Sequence, residues 1–382
     1  MNNTPFSPLA FLASLGAGGI AVTPFAFLQY TTHTGPGLIK STDIARDSLS
    51  FSGTLLQYGL EAIMIVFTIL HLVLSVYFAK KLVEWFRSGA HTGFLKNPLV
   101  NAGILAPFIS LVMTMNVGIG PVRYLFPSMA ENLQAFMLPT LILWLVIWVV
   151  LMITDMKLLK TSFEEGFDTA KISFGWLLHP FALGMLTVTG TGIAAMAHDV
   201  SIANIAAFFS LVSGSMGLFL LLVKLIVIFK SHFAAPGLPE KHFLPSFLIV
   251  VPNVTLYAIA GFRFMHYLEH VHGFETALFA WLIILSGFAF EVWYMLFGLT
   301  LLKEFFTEHF LKKEFYLTLW GLVCSVVAFA VLGSFAYKLF LTTPIIYGIL
   351  VATILIAVVL FFFLLSRHIT CSNKKEGEIA CS

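Results

Sequence analysis

The sequence predicts an all-α polytopic membrane protein of ten transmembrane helices. Three observations point there. Of the 382 residues, 59% are hydrophobic and only 10% are charged, where a soluble domain carries roughly 25% charged residues. The mean hydropathy is +0.95. The apolar residues also gather into ten runs, each near the roughly 20 residues that a helix needs to cross the hydrocarbon core.

The first run, about 8–30, is FLASLGAGGIAVTPFAF with flanks. The preceding MNNTPFSP has no basic n-region, so a retained span is expected rather than a cleaved signal peptide. The second, about 55–82, is long and carries Glu61 and His71. The third, about 98–120, opens at Asn97-Pro98 and holds Pro107; the fourth covers about 132–156. The fifth, about 174–197, contains His179-Pro180 and the stretch TVTGTGIAAM. The sixth runs over about 202–230, and the seventh, about 245–263, contains Pro252 and Asn253. The eighth, about 274–302, carries Glu291; like the second, it is long enough to tilt or project. The ninth and tenth cover about 315–338 and 341–366. Residues 1–366 thus form one transmembrane domain, and 367–382 a short polar tail.

Charge placement tests the count. With the N-terminus in the cytoplasm, 16 basic residues fall on the cytoplasmic side, Lys224 among them by snorkelling, and 5 on the other. That bias follows the positive-inside rule and predicts an even number of spans with both termini inside, in a cell (inner) membrane. Helix breakers are uneven too. The odd spans hold 20 Gly and Pro, the even spans 8. Irregular helix is tolerated at membrane depth where it is buried in protein or lines a cavity, and small residues also allow close packing. Five alternating hairpins would therefore place five inner helices within an outer ring of five. Proline inside a helix costs about 3 kcal/mol. At Pro252 the expected result is a kink that leaves a carbonyl unpaired and widens the interior.

The stretch GLPEKHFLPSFLIVVPNV resembles the loop-plus-helix pattern of the tellurite-resistance/dicarboxylate transporter family, which includes the bacterial TehA proteins and plant slow anion channels. FLASLGAGGIAVTPFAF is similar to its Gly-rich first helix, NPLVNAGILAPFISLVM to its third, and TVTGTGIAAM to its pore-lining fifth. The resemblance implies ten helices as five hairpins around a central pore, a homotrimer, and an anion channel or transporter gated by a phenylalanine of the ninth helix. The ninth span here is EFYLTLWGLVCSVVAF, which puts Trp320 at the gate, a departure from the family's Phe, followed by Gly321. Expected pore-lining residues are Gly18, Gly19, Pro24, Pro107, His179, Pro180, Thr187, Thr191, Pro252, Asn253 and Gly321.

Ionisable residues inside spans are costly and are functional candidates. Glu61 and Glu291 are either buried hydrogen-bonding acids or the proton-coupling groups of a carrier. Thr187, Thr189 and Thr191 either replace part of an anion's hydration shell or back-bond to their own helix. Arg123 and Arg263, at the outer ends of inner helices, either concentrate anions at a mouth or anchor the interface. The stretch HYLEHVHGFE (266–275) has the i, i+4 histidine spacing of a metal site, but falls in an expected outer loop where such a cluster is usually solvated. No metal or cofactor is expected.

The leading expectation is a membrane channel or transporter for small inorganic or organic anions. The alternative is a proton-coupled carrier of dicarboxylates or other weak acids. A haem- or quinone-binding redox subunit, with His71 and His179 as axial ligands, ranks third. There is no P-loop, HExxH, GxSxG or CxxC motif, so neither an enzyme nor a nucleic-acid partner is expected. Cys324, Cys371 and Cys381 lack metal-ligand spacing and predict no disulfide framework, with Cys324 a packing residue.

Overall fold

A computed structural model of the chain describes residues 6–35, 37–168, 171–234, 240–310 and 314–373. Among the described residues, ten helices are long and apolar enough to cross a membrane. They are α1 (Pro8–Thr31), α2 (Phe51–Arg87), α3 (Asn101–Leu125), α4 (Leu133–Glu165), α5 (Phe174–Met196), α6 (Val200–Ala234), α7 (Leu244–His272), α8 (Ala277–Leu301), α9 (Leu317–Leu339) and α10 (Pro344–Cys371). Most of the tail lies outside the described residues.

Several ends differ from expectation. Helices α2, α4 and α6 run past the apolar stretch into charged sequence such as KKLVEWFR, because nothing there breaks a helix. The stretch HYLEHVHG is not a loop: α7 continues through His272 and stops at Gly273, whose φ of 71° supplies the left-handed cap.

Burial separates the two sets of spans. In the most apolar window of each, 56–100% of residues are buried in the odd spans and 28–39% in the even ones. The odd spans contact one another in a closed series: α1 with α3, α3 with α5, α5 with α7, α7 with α9, and α9 with α1. The even spans pack on their odd neighbours and present exposed side chains such as Ile142, Phe219, Leu296 and Val359 outward.

All five odd spans begin with a 3₁₀ turn: Pro8–Ala10, Asn101–Leu105, Phe174–Leu177, Leu244–Ile249 and Leu317–Leu319. In α3, α5 and α7 a proline follows within the first three residues of the α-helical part, at Pro107, Pro180 and Pro252. A first-turn proline gives up an N–H that had no helical partner anyway. Pro252 therefore does not kink a helix interior, and its carbonyl partner is not left unpaired. The Leu248 carbonyl, four residues earlier, accepts a hydrogen bond from Ser325 Oγ of α9 at 2.8 Å. Likewise the Trp176 carbonyl, four residues before Pro180, accepts one from Lys224 Nζ of α6 at 3.2 Å. Lys224 does not snorkel to the surface. It is 1% exposed, and its ammonium lies 4.1 Å from the centre of the Trp176 ring.

The connection between α1 and α2 is tied down at its centre. Ile39 donates its N–H to Gln29 Oε1 at 2.6 Å, and its carbonyl accepts from Arg123 Nη2 at 2.6 Å. Cys324 is free and buried. Cys371 is disulfide-bonded, where the sequence suggests no disulfide; Cys381 lies outside the described residues.

Candidate functional site

The closed series of odd spans surrounds a cavity of about 680 Å³. All five contribute to its wall. Its deepest lining is Leu15 and Gly16 of α1, Met113 of α3, Phe181 of α5, Pro252 of α7 and Cys324 of α9. From there it runs toward the side where the odd spans end. Gly35, Gly37 and Leu38 of the first connection, with His266, His270 and Lys338, line that mouth.

Of the residues expected in a pore, Gly19 and Pro252 line this cavity, as do Asn116 and Thr189. The others point elsewhere for identifiable reasons. Gly18 faces α2 and α3: a Cβ there would stand 2.5 Å from Met113 Cγ and 2.8 Å from His71 Nδ1, so glycine lets His71 reach the Ser14 carbonyl at 2.7 Å. Its other ring nitrogen lies 2.8 Å from Thr114 Oγ1, so both nitrogens of the expected haem ligand are engaged. Thr187 bonds Ser213 of α6 at 3.0 Å, while Thr191 and Asn253 bond carbonyls one turn back in their own helices. The carbonyl of Pro180 accepts from the Tyr257 hydroxyl at 2.6 Å. Pro24, Pro107 and Gly321 are likewise not among the lining residues.

The expected gate is not in the wall either. Trp320 is 0% exposed, and its ring packs against Phe361 of α10, with centroids 5.2 Å apart. That contact places the indole on the outer side of α9. The aromatic side chain at the deep end of the cavity is Phe181.

The two expected mouth arginines part company. Arg123 is 3% exposed and its guanidinium is used on the Ile39 and Ile119 carbonyls, so it is a structural tie and not an anion-facing group. Arg263 does line the cavity. One of its N–H groups goes to the Val188 carbonyl at 2.7 Å; among the described residues it has no carboxylate partner. A cation in a mostly apolar wall without a counter-charge is unfavourable unless an anion joins it. Among the described residues Glu269 is the only carboxylate in the wall, and it sits at the mouth beside His266 and His270. Those two histidine rings stack with centroids 5.2 Å apart. Among the described residues no group of three His, Cys, Asp or Glu side chains has the arrangement to hold a metal ion.

Both acids expected to couple protons are engaged. Glu61 pairs with Arg46 at 2.8 Å and accepts from Gln57 and Tyr124 at 3.0 and 2.8 Å. Glu291 is fully buried on α8 and accepts from the hydroxyl of Thr255, itself a wall residue. His179, expected in the pore, turns to α4 instead. Its Nδ1 lies 2.5 Å from Asp155 Oδ1, and Lys224 stands within coulombic reach. Asp155 is the partner that sequence reasoning misses. It sits at the end of the apolar run VVLMITD and looks there like the start of a polar connection.

The arrangement can therefore receive an anion from one side, at a guanidinium that among the described residues has no carboxylate partner, inside a mostly apolar chamber. The chain matches no family model and no curated protein. The resemblance to the tellurite-resistance/dicarboxylate transporter family rests on the quoted residues alone, and its Leu238-Pro239 portion lies outside the described residues.

Proposed function

We propose that this protein is a membrane channel or transporter for small anions, with the five odd helices of five hairpins surrounding the pathway. The observation that carries the reading is Arg263, a cation without a carboxylate partner among the described residues, in the wall of a chamber bounded by all five odd spans. Lys338 at the mouth adds a second cation to the wall, against Glu269, the one carboxylate there among the described residues. The charge bias of the connections puts the ends at which the odd spans begin in the cytoplasm, so the mouth opens outward. An aromatic gate in this design is Phe181, which stands where the chamber ends.

The test is anion flux from purified protein in liposomes or planar bilayers, with chloride, nitrate and malate as permeants. Currents that reverse at an anion potential, and that fall in Arg263→Gln, are the expected result. No flux of any of the three at confirmed incorporation overturns the open-channel reading.

A second reading, proton-coupled carriage of weak acids, has one observation in its favour. Glu291 stands directly behind the wall, hydrogen-bonded to Thr255. Uptake driven by a pH gradient that survives Glu291→Gln unchanged would remove it.

A further inference from the structure

We propose that the preferred occupant of the cavity is an amphipathic monocarboxylate, an aryl or bulky alkyl acid whose single carboxylate meets Arg263 and Tyr30. The inference rests on the anion-transport reading and names its substrate class.

Arg263 provides the charge. With one N–H on the Val188 carbonyl, the rest of its planar fork remains open to the chamber, and that fork matches a carboxylate with two parallel hydrogen bonds. Tyr30 lines the same wall within electrostatic reach of Arg263, and its hydroxyl has no protein partner among the described residues. A phenol O–H beside a guanidinium completes a two-donor seat for one anionic group.

The surroundings of that seat are apolar rings. Tyr30 packs at a tilt on Phe335 at 3.8 Å between centroids, Phe335 meets Phe262 edge-on at 5.3 Å, and Phe262 meets His266 at 5.2 Å. All four line the cavity. A strongly hydrated ion would have to shed water against these faces with little in return, whereas an aryl or branched body gains by burial there. The other cation of the wall, Lys338, has its ammonium 5.9 Å from the centre of the Tyr30 ring and already bonds the His33 carbonyl at 3.2 Å, so a second carboxylate there would compete with that bond. The chamber's 680 Å³ falls within the roughly 300–1,000 Å³ of sites that enclose drug-sized ligands, far more than a bare halide fills.

Calorimetric titration of the detergent-purified full chain tests this with four probes: benzoate, benzyl alcohol, succinate and chloride. Benzoate is expected to bind at least about tenfold tighter than each of the others, the weight of one charge-assisted hydrogen bond. Arg263→Gln is expected to erase that margin, and Tyr30→Phe to reduce it. Succinate or chloride binding as tightly as benzoate overturns the proposal. So does benzyl alcohol binding equally well, a comparison made on the unaltered protein that stands even if Arg263→Gln fails to fold. Chloride flux without any preference for benzoate defeats this inference and leaves the transport reading intact. Benzoate binding without flux of any anion keeps the site and defeats the transport reading.

Discussion

Ser325 of α9 donates its hydroxyl at 2.8 Å to the Leu248 carbonyl of α7, four residues before Pro252. The hydroxyl also lies 3.0 Å from the Gly321 carbonyl of its own helix. Two inner helices are thus joined where the 3₁₀ turn of α7 passes into its proline-bearing first α-helical turn. Ser325→Ala is expected to cost about 0.5–1.5 kcal/mol, because the buried Leu248 carbonyl keeps only the Val250 N–H and loses its donor from α9. Pro252→Ala restores an N–H to that turn, so the serine substitution is expected to cost less on this background. A double-mutant cycle in denaturant checks it, and strictly additive losses would show that the two residues are independent.

The buried group Asp155, His179 and Lys224 yields a second prediction. Asp155→Asn removes the buried carboxylate that His179 bonds and that Lys224 lies within coulombic reach of, and loss of a buried hydrogen bond to a charged group costs about 1.5–3 kcal/mol. Thermal melting of the purified protein is expected to fall accordingly. Asp155→Asn combined with Lys224→Met is expected to recover part of the loss. An unchanged melting temperature in the single variant would mean the group carries no net charge to balance.

Trp320 and Phe181 separate packing from gating. Trp320→Ala empties a wholly buried indole site and is expected to cost about 3–5 kcal/mol of stability, with no gain in anion flux. Phe181→Ala removes a ring from the deep end of the cavity and is expected to raise flux. Larger currents from Trp320→Ala alone would return the gate to α9.

Gly190 of α5 sits against the Trp144 ring of α4 and the hydroxyl of Ser210 of α6. A Cβ would overlap both, while Trp144 Nε1 is held by the Leu186 carbonyl at 3.0 Å. Gly190→Ala is expected to destabilise by about 1–3 kcal/mol through overpacking. Gly348 of α10 has open space at its Cβ, so Gly348→Ala serves as the control without overpacking in the same melting assay.

The spans were legible because hydropathy acts residue by residue: a run of apolar side chains suffices to announce α10, whatever it packs against. The excess of Gly and Pro in alternate spans pointed to the buried ones, since close approach of helices needs small residues. The site was less legible because a one-dimensional pattern carries no azimuth. In α5, Thr187, Thr189 and Thr191 look alike in sequence, yet Thr189 alone of the three lines the cavity. His179 and Lys224 look like separate polar residues until Asp155 of α4 meets one and comes within reach of the other. Trp320 shows the limit of aligning a motif by one glycine, for a shift of a single position turns a helical side chain by about 100°.

The burial of alternate spans has a consequence for biogenesis. Mean hydropathies of the odd spans are 1.7, 1.8, 1.3, 1.6 and 2.1, and the even span that follows each reaches 2.4, 2.6, 2.4, 1.8 and 3.1. Each weakly lipophilic segment leaves the ribosome just ahead of a more lipophilic one. α5, at 1.3, has the least to gain from lipid and is followed at once by α6, which packs along it. The natural unit of insertion is therefore the pair, and a chain truncated between α5 and α6 is expected to leave α5 poorly integrated, where one that extends through α6 integrates both.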